Sequence, residues 1–375
     1  MLTLNTRAYS TNLLLAPAYS IGFLLLLLVS TQWATGLLLA CHYLPTEHLA
    51  WTLIGQSGRD LPTGYLTQSV HTSGATILFL VTYLHMGRAL YRSSSQSNSR
   101  VWASGVIIYI LLIGTCFTGY SLVYGQMSMW AIVVICSLVT AIPYIGKDLL
   151  QLIWGSSTVS TSTLGRLYTT HYLLAVVILL LTLLHLYLLH TTGSTGSHQS
   201  TTLPRSDRID FLSAFVIRDL AAAVISLTVL GTLACWLPNL TAEADNSMPA
   251  NPLVTPSCIS PEWYMLPYYA LIRAIPSKPM GILAMGISFM TLANLGDTGY
   301  RSWSSVSSRQ ASLLFLALTD LLVLSLSCLQ VNTGETLYLL LTASALSLIS
   351  ATLTTDDTLS LPSGSQATSE VQQAE

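Results

Sequence analysis

Apolar residues run in long blocks along this chain, and eight blocks reach or approach the roughly 20 residues that a helix needs to cross hydrocarbon. We read them as spans A, Tyr19 to His42; B, Tyr65 to Leu90; C, Val101 to Tyr124; D, Leu167 to His190; E, Phe211 to Leu237; F, Gly281 to Leu295; G, Gln310 to Gln330; and H, Thr336 to Thr355. Span F is short and is expected to start nearer Pro279. An even number of crossings puts both termini on one side. Two connections are too long for turns: residues 125 to 163, with the amphipathic stretch MSMWAIVVICSLVTAI, and residues 238 to 278. Both fall opposite the termini, and long ordered connections usually carry function, so together they are candidates for one site. The pattern predicts an all-α polytopic membrane protein with eight transmembrane helices. Residues 1–200 would hold spans A to D as a four-helix bundle with amphipathic helices at about 126–142, and residues 201–375 a C-terminal membrane domain of spans E to H.

Composition agrees. Only 8% of the 375 residues are charged and mean hydropathy is +0.61, whereas a soluble domain is about 25% charged; a water-facing surface could not be covered. With 14 basic against 16 acidic residues and no basic run longer than two residues, nucleic acid is excluded as a partner. Of the basic residues, Arg7, Arg88, Arg92, Arg100, Arg205, Arg208, Arg218, Arg301 and Arg309 fall with the termini; Arg59, Lys147, Arg166, Arg273 and Lys278 fall opposite. The positive-inside bias then puts the termini in a matrix or cytoplasm. The six cysteines include no C-x-x-C, hence no disulfide framework, zinc site or covalent haem attachment is expected. MLTLNTRAYS carries no secretory or transit signal, so the spans themselves should direct insertion.

Four histidines sit inside spans as two pairs, His71 and His85 in B and His171 and His185 in D, each pair 14 residues apart. Fourteen residues is just under four turns and about 21 Å, which keeps both members on one face. Spans B and D run the same way through the membrane, so His71 comes level with His171 and His85 with His185. Facing imidazoles at one depth are the axial pair of a low-spin haem iron, and two levels make two stacked haems. Taken singly, each histidine fits an interhelical hydrogen bond or a proton relay equally well. The same spacing recurs in Gly22 and Gly36 of A and in Gly105 and Gly119 of C, where a missing Cβ would let a porphyrin edge approach or would simply allow close helix packing. Arg88 and Trp102, near the level of His85, and Arg166, five residues before His171, are candidate propionate partners or interfacial anchors.

The paired H-x13-H, the glycine pairs, GYSLVYGQMSMW, AIPYIG, HLYLLHTTGS, DNSMPANPL, PEWY and AIPSKPMG together resemble the cytochrome b family, the haem subunit of ubiquinol:cytochrome c oxidoreductase (respiratory complex III). The resemblance runs from about Tyr19 to His190 and from Arg218 to Asp357, in the fused mitochondrial and bacterial form. It implies two non-covalent b-type haems, one of low potential on His71 and His171 and one of high potential on His85 and His185. It also implies two quinone sites and a bifurcated reaction. One electron of ubiquinol leaves to an iron–sulfur protein; the other crosses both haems to reduce ubiquinone opposite, with proton translocation. At the outer site Glu262 would accept the quinol proton, Tyr264 and Tyr269 would donate to the quinone oxygen, and Phe117, Tyr120, Met127, Ala131, Ile145 and Pro261 would wall the cavity. At the inner site His190, Ser194 and Asp219 would bind quinone. The implied partners are a Rieske-type iron–sulfur protein, a cytochrome c-type subunit, other complex III subunits, membrane lipid and a second copy in a dimer. The implied place is the mitochondrial inner membrane with both termini in the matrix, or a bacterial plasma membrane.

Three positions depart from the family pattern. Gln68 stands where an Arg is common, three residues before the first haem histidine, which weakens one propionate contact. Ala175 replaces a Pro four residues after His171, so span D should be straighter. Ala131 replaces a Gly and should narrow the outer pocket. Bulky methoxyacrylate inhibitors are therefore expected to bind this chain more weakly than its Ala131→Gly variant; equal inhibition constants for the two would refute it. A proton-coupled transporter would instead show inverted repeats and interrupted helices. A dihaem membrane anchor would need only four or five helices and no PEWY loop.

Overall fold

The computed structural model describes residues 10–12, 20–91, 98–192, 208–210, 216–240 and 242–294. The helices among them are α1 Ile21–Ala40, α2 Ala50–Asp60, α3 Gly64–Tyr91, α4 Ser99–Leu122, α5 Gln126–Ser137, α6 Gly146–Trp154, α7 Thr161–Thr192, α8 Val216–Trp236, α9 Leu266–Ala274 and α10 Lys278–Asn294. Short 3-10 turns lie at Leu138–Ala141, Ala244–Ser247 and Trp263–Met265. The strands among the described residues are one small antiparallel pair, Ser10–Asn12 with Arg208–Asp210, which the sequence pattern did not predict.

Among the described residues four helices are long and apolar enough to cross a membrane: α1, α4, α7 and α8, matching spans A, C, D and E. Helix α3, span B, has 28 residues but carries many Ser, Thr, Gln and His residues. Span F is α10, which starts at Lys278, three residues before Gly281. Spans G and H lie outside the described residues. Helix α7 runs unbroken for 32 residues through Ala175. The amphipathic stretch splits into α5 and a 3-10 turn, and α2, α6 and α9 lie outside the apolar blocks. Their ends follow local chemistry. Leu61 and Ile275 are extended before Pro62 and Pro276, since a following proline disfavours helical backbone. Gly155 closes α6 at φ +76°, a left-handed cap that suits glycine.

Helix α1 packs along α3 and α4 along α7, while α8 lies against α3 and α1. Leu28, Ile77, Phe79, Leu112, Ile178 and Leu230 form a buried core among them. A second core, with Ala50, Leu122, Ile132, Leu164 and Leu167, lies where α2, α5 and the start of α7 meet the end of α4. Leu180, Leu183, Ile217, Val224 and Ile225 are more than half exposed, an apolar outer surface suited to lipid. Several threonine hydroxyls in these helices are satisfied within their own helix: Thr31, Thr82, Thr115, Thr182 and Thr228 each donate to the carbonyl four residues back. That back-bonding lets Ser and Thr sit in a helix without an orphan donor.

The two long connections meet. The Gln126 backbone N–H donates to the Met248 carbonyl at 2.9 Å. Its side chain accepts from the Asn251 N–H at 2.7 Å and donates to the Val254 carbonyl at 2.6 Å. Asn246 Oδ1 accepts from both the backbone N–H and the hydroxyl of Ser128, at 3.0 and 2.7 Å. Each such bond contributes about 1 kcal/mol net, and buried donors left unpaired cost more. Asn246→Ala is expected to destabilise the protein by about 2 kcal/mol, read as a lower thermal midpoint in detergent. An unchanged midpoint would show that the clamp carries no stability.

Candidate functional site

Helices α3 and α7 bring the four histidines together as the spacing predicts. The His71 and His171 rings lie 6.5 Å apart between centroids and the His85 and His185 rings 6.4 Å. This double match requires the helices to run parallel and in register. Two imidazoles bound to one metal ion at about 2.0–2.1 Å, each nitrogen about 1.1 Å from its ring centre, would put their centroids about 6.3 Å apart. Both pairs are spaced as two ligands of one metal ion would be.

The hydrogen bonds on Nδ1 fix which nitrogen faces inward. Thr35 Oγ1 gives its proton to the Thr31 carbonyl, so it accepts from His71 Nδ1–H at 2.9 Å. Ser104 Oγ donates to the Val101 carbonyl and so accepts from His185 Nδ1–H at 2.8 Å. His171 Nδ1–H donates to the Thr115 carbonyl at 2.8 Å, with Thr118 Oγ1 at 3.3 Å. In all three rings Nδ1 carries the proton, and the Nε2 lone pair is left for a metal, the usual arrangement of ligating histidines. His85 Nδ1 is buried with no partner among the described residues; the position equivalent to the other carbonyls is residue 18, outside them.

The glycines face these rings. A Cβ built on Gly22 would lie 3.6 Å from His85 Cε1, on Gly36 3.2 Å from His71 Cε1, on Gly105 3.3 Å from His185 Cε1, and on Gly119 2.6 Å from His171 Cε1. The 14-residue glycine spacing therefore answers the histidine spacing helix by helix, α1 to α3 and α4 to α7. The space it opens is taken first by imidazole edges, a closer cause than the porphyrin edge expected from sequence.

The second constellation lies in the 238 to 278 connection. Glu262 is half-buried, and burial, with the Glu243 carboxylate as a lesser cause, pushes its carboxyl up to about 7. Tyr120 and Cys116 of α4 and Tyr264 stand near enough to feel its charge. The Tyr120 hydroxyl is buried and unpartnered among the described residues. Tyr264 stacks on Phe79 with centroids 4.1 Å apart and planes within 3°, its hydroxyl near the Cys116 thiol. The Tyr269 hydroxyl donates to the Ile259 carbonyl at 2.8 Å. Met127, Ala131 and Pro261 are buried, Phe117 is half-buried, and Ile145 is 59% exposed.

On the other side, Asp219 is buried in the first turn of α8 near Ser20, its Oδ1 without a partner among the described residues. His190 stands exposed in the last turn of α7, and Ser194 lies outside the described residues. Arg88 is half-buried one turn beyond His85, and Arg166 is exposed beside Gly155. Gln68 lies against Gly58 of α2. The Trp102 indole N–H is taken by the Leu292 carbonyl of α10 at 2.9 Å, so its donor ties two helices together. Thr35, Ser104 and Thr118 were missed from sequence. Each immediately precedes one of the 14-spaced glycines, and that Ser/Thr–Gly pairing was a usable signal. Tyr83, Tyr109 and Tyr268, also missed, left no such trace.

Comparison with known proteins agrees with this geometry. Residues 6–193 match the family model described as Cytochrome b/b6/petB, and residues 249–349 the one described as Cytochrome b(C-terminal)/b6/petD. The chain is 42% identical over 275 residues to cytochrome b of Schizosaccharomyces octosporus, covering 73% of this chain and 70% of that one. It is 40% identical over 278 residues to cytochrome b of Mycosarcoma maydis, covering 74% and 70%. Its fold is similar to a chain of a hyperthermophilic respiratory complex III, with TM-score 0.83, 25% identity and 94% of each chain covered.

Proposed function

The chain belongs to the cytochrome b family, and from that premise we propose that it is the dihaem subunit of a quinol:cytochrome c oxidoreductase, oxidising quinol at one membrane face and reducing quinone at the other. The observation that carries this reading is the double pairing of imidazoles, 6.5 and 6.4 Å apart, on parallel α3 and α7. Bound between them, two b-type haems would supply a one-electron path from one face to the other. The chain's own residues position and move protons. Thr35, Ser104 and the Thr115 carbonyl hold three of the rings by Nδ1–H. Arg88 and Arg166 are the cations we assign to the propionates, with Gln68 as a neutral neighbour on the outer side.

At the outer site Glu262 takes a proton from the quinol hydroxyl and releases it outward, as a buried carboxyl with a pKa near working pH can. Tyr120, Tyr264 and Tyr269 line that path, with Phe117, Met127, Ala131, Ile145 and Pro261 as walls. At the inner site Asp219, His190 and Ser194 bind quinone and deliver protons to it as it is reduced. Opposite proton release and uptake make the turnover electrogenic. The sequence holds no ligand set for an iron–sulfur cluster and no c-type attachment. Quinol oxidation therefore takes place in complex with a Rieske-type iron–sulfur protein and a cytochrome c-type subunit, in a dimeric complex. Mitochondrial relatives support the inner membrane as its place, with both termini in the matrix. The complex purified with this chain should reduce cytochrome c with quinol while b-type bands appear at an early stage of turnover. Quinol oxidation with no b-type absorbance change would overturn the reading.

A further inference from the structure

Three phenols, Tyr109 buried and Tyr83 and Tyr268 half-buried, join the interhelical core to the loop that carries Glu262. Tyr83 of α3 donates to the backbone carbonyl of Tyr264 at 2.8 Å. Tyr109 of α4, 3% exposed, lies 3.4 Å from the Tyr83 hydroxyl and 2.8 Å from the Tyr268 hydroxyl of α9. Each phenol has one proton. With Tyr83's committed to the carbonyl, one direction gives every bond a donor: Tyr268 to Tyr109, Tyr109 to Tyr83, Tyr83 to the Tyr264 carbonyl. Aligned bonds of this kind polarise one another. The rings pack as well: Tyr83 sits edge-on to Trp263 at 6.3 Å, and Tyr268 stacks on Phe289 of α10 at 4.7 Å. Phenylalanine would fill the same volumes. Apolar contacts alone tolerate sliding, whereas hydroxyls buried in an apolar interior are costly unless bonded, so the chain of hydroxyls fixes the height and rotation of the turn Trp263–Met265. Glu262 is the residue that starts that turn, and its carbonyl accepts from the Met265 N–H at 2.9 Å.

We propose that the Tyr268–Tyr109–Tyr83 hydroxyl ladder is a positioning device for quinol oxidation, holding the Glu262 segment in register with the haem-bearing helices. This rests on the outer-site reading above. Tyr83 ties α3 to the turn through the Tyr264 carbonyl, and Tyr109 ties α4 to the start of α9 through Tyr268; both hold the Glu262 segment.

The test uses the assembled complex with Tyr83→Phe, Tyr109→Phe and the double variant. Removing one buried hydroxyl bond is expected to lower outer-site kcat/KM for quinol about five- to tenfold in Tyr83→Phe and less in Tyr109→Phe. The double variant should lose more than either single variant, because the two ties hold one segment from two helices. Reduction of the b haems through the inner site, with the outer site blocked, should stay at the wild-type rate, as should haem content. Amide exchange at Met265 and Leu266 should quicken in Tyr83→Phe whatever the turnover. Unchanged kcat/KM and exchange, a double variant no worse than Tyr83→Phe, or equal losses at both sites would overturn the ladder. A wild-type complex without quinol oxidation would instead overturn the proposed function, and the exchange measurement would still decide the ladder.

Discussion

Gly119→Ala is expected to cost the protein one of the two haems proposed for it. The added methyl would stand 2.6 Å from His171 Cε1 and 3.1 Å from its Nδ1, closer than carbon atoms tolerate. The ring has little freedom to retreat, because its Nδ1–H is bonded to the Thr115 carbonyl, one turn back on the same helix as the glycine. Either α4 separates from α7 or the imidazole turns, and both break the facing of His171 with His71. Haem content should fall from two towards one per chain, with loss of the low-potential component of the reduced-minus-oxidised spectrum. The gradient across the four glycines provides the internal control. Gly22→Ala, with its Cβ at an ordinary 3.6 Å from His85, should keep both haems; Gly36→Ala and Gly105→Ala, at 3.2 and 3.3 Å, should shift the bands of their own haem without losing it. Two haems and an unaltered spectrum in Gly119→Ala would count against the assignment.

The second large effect concerns Glu262. A carboxyl with its pKa raised to about 7 is neutral below that pH and cannot accept a proton; above it the carboxylate can. Outer-site kcat/KM should therefore rise as pH passes through about 7 and level off above. The groups facing this carboxyl are Glu243, Tyr120, Cys116 and Tyr264, and of these Glu243 adds to the upward shift. Glu262→Gln keeps the shape and removes the base. Its outer-site rate should fall about tenfold at least, since a positioned general base contributes up to about 10²- to 10⁴-fold, and the rise near pH 7 should vanish. Glu243→Gln should move that rise to lower pH, because it removes the repulsion that raises the Glu262 pKa. A Glu262→Gln enzyme with the wild-type rate and pH profile would remove Glu262 from the chemistry.

Much of this site is written in single-residue periodicity. The spacing of His71 to His85 and of His171 to His185 fixes face, depth and pairing by helix geometry alone, so the two levels were legible before any coordinates. The long helices were legible for the same reason: apolar blocks of membrane length have few other uses. Short helices such as α2, α6 and α9 were not, because they lie outside those blocks and are shaped by Pro62, Gly155 and Pro276. Cross-helix partners were the hardest. Nothing in the sequence places Leu292 beside Trp102, so an indole read as a haem partner is bonded instead to a helix-end carbonyl. Tyr83, Tyr109 and Tyr268 come from three helices and share no spacing, so their ladder exists only once α3, α4 and α9 are packed. The glycines were found by their period, but their reason required seeing that each one opposes a histidine ring.

The measurement that bears most directly on the central claim is the amount of non-covalent haem b per purified chain, taken for the wild type and for a variant with His71, His85, His171 and His185 all replaced by alanine. Two haems in the first and none in the second are expected. A colourless wild-type chain, or a quadruple variant that keeps its haem, would contradict the account.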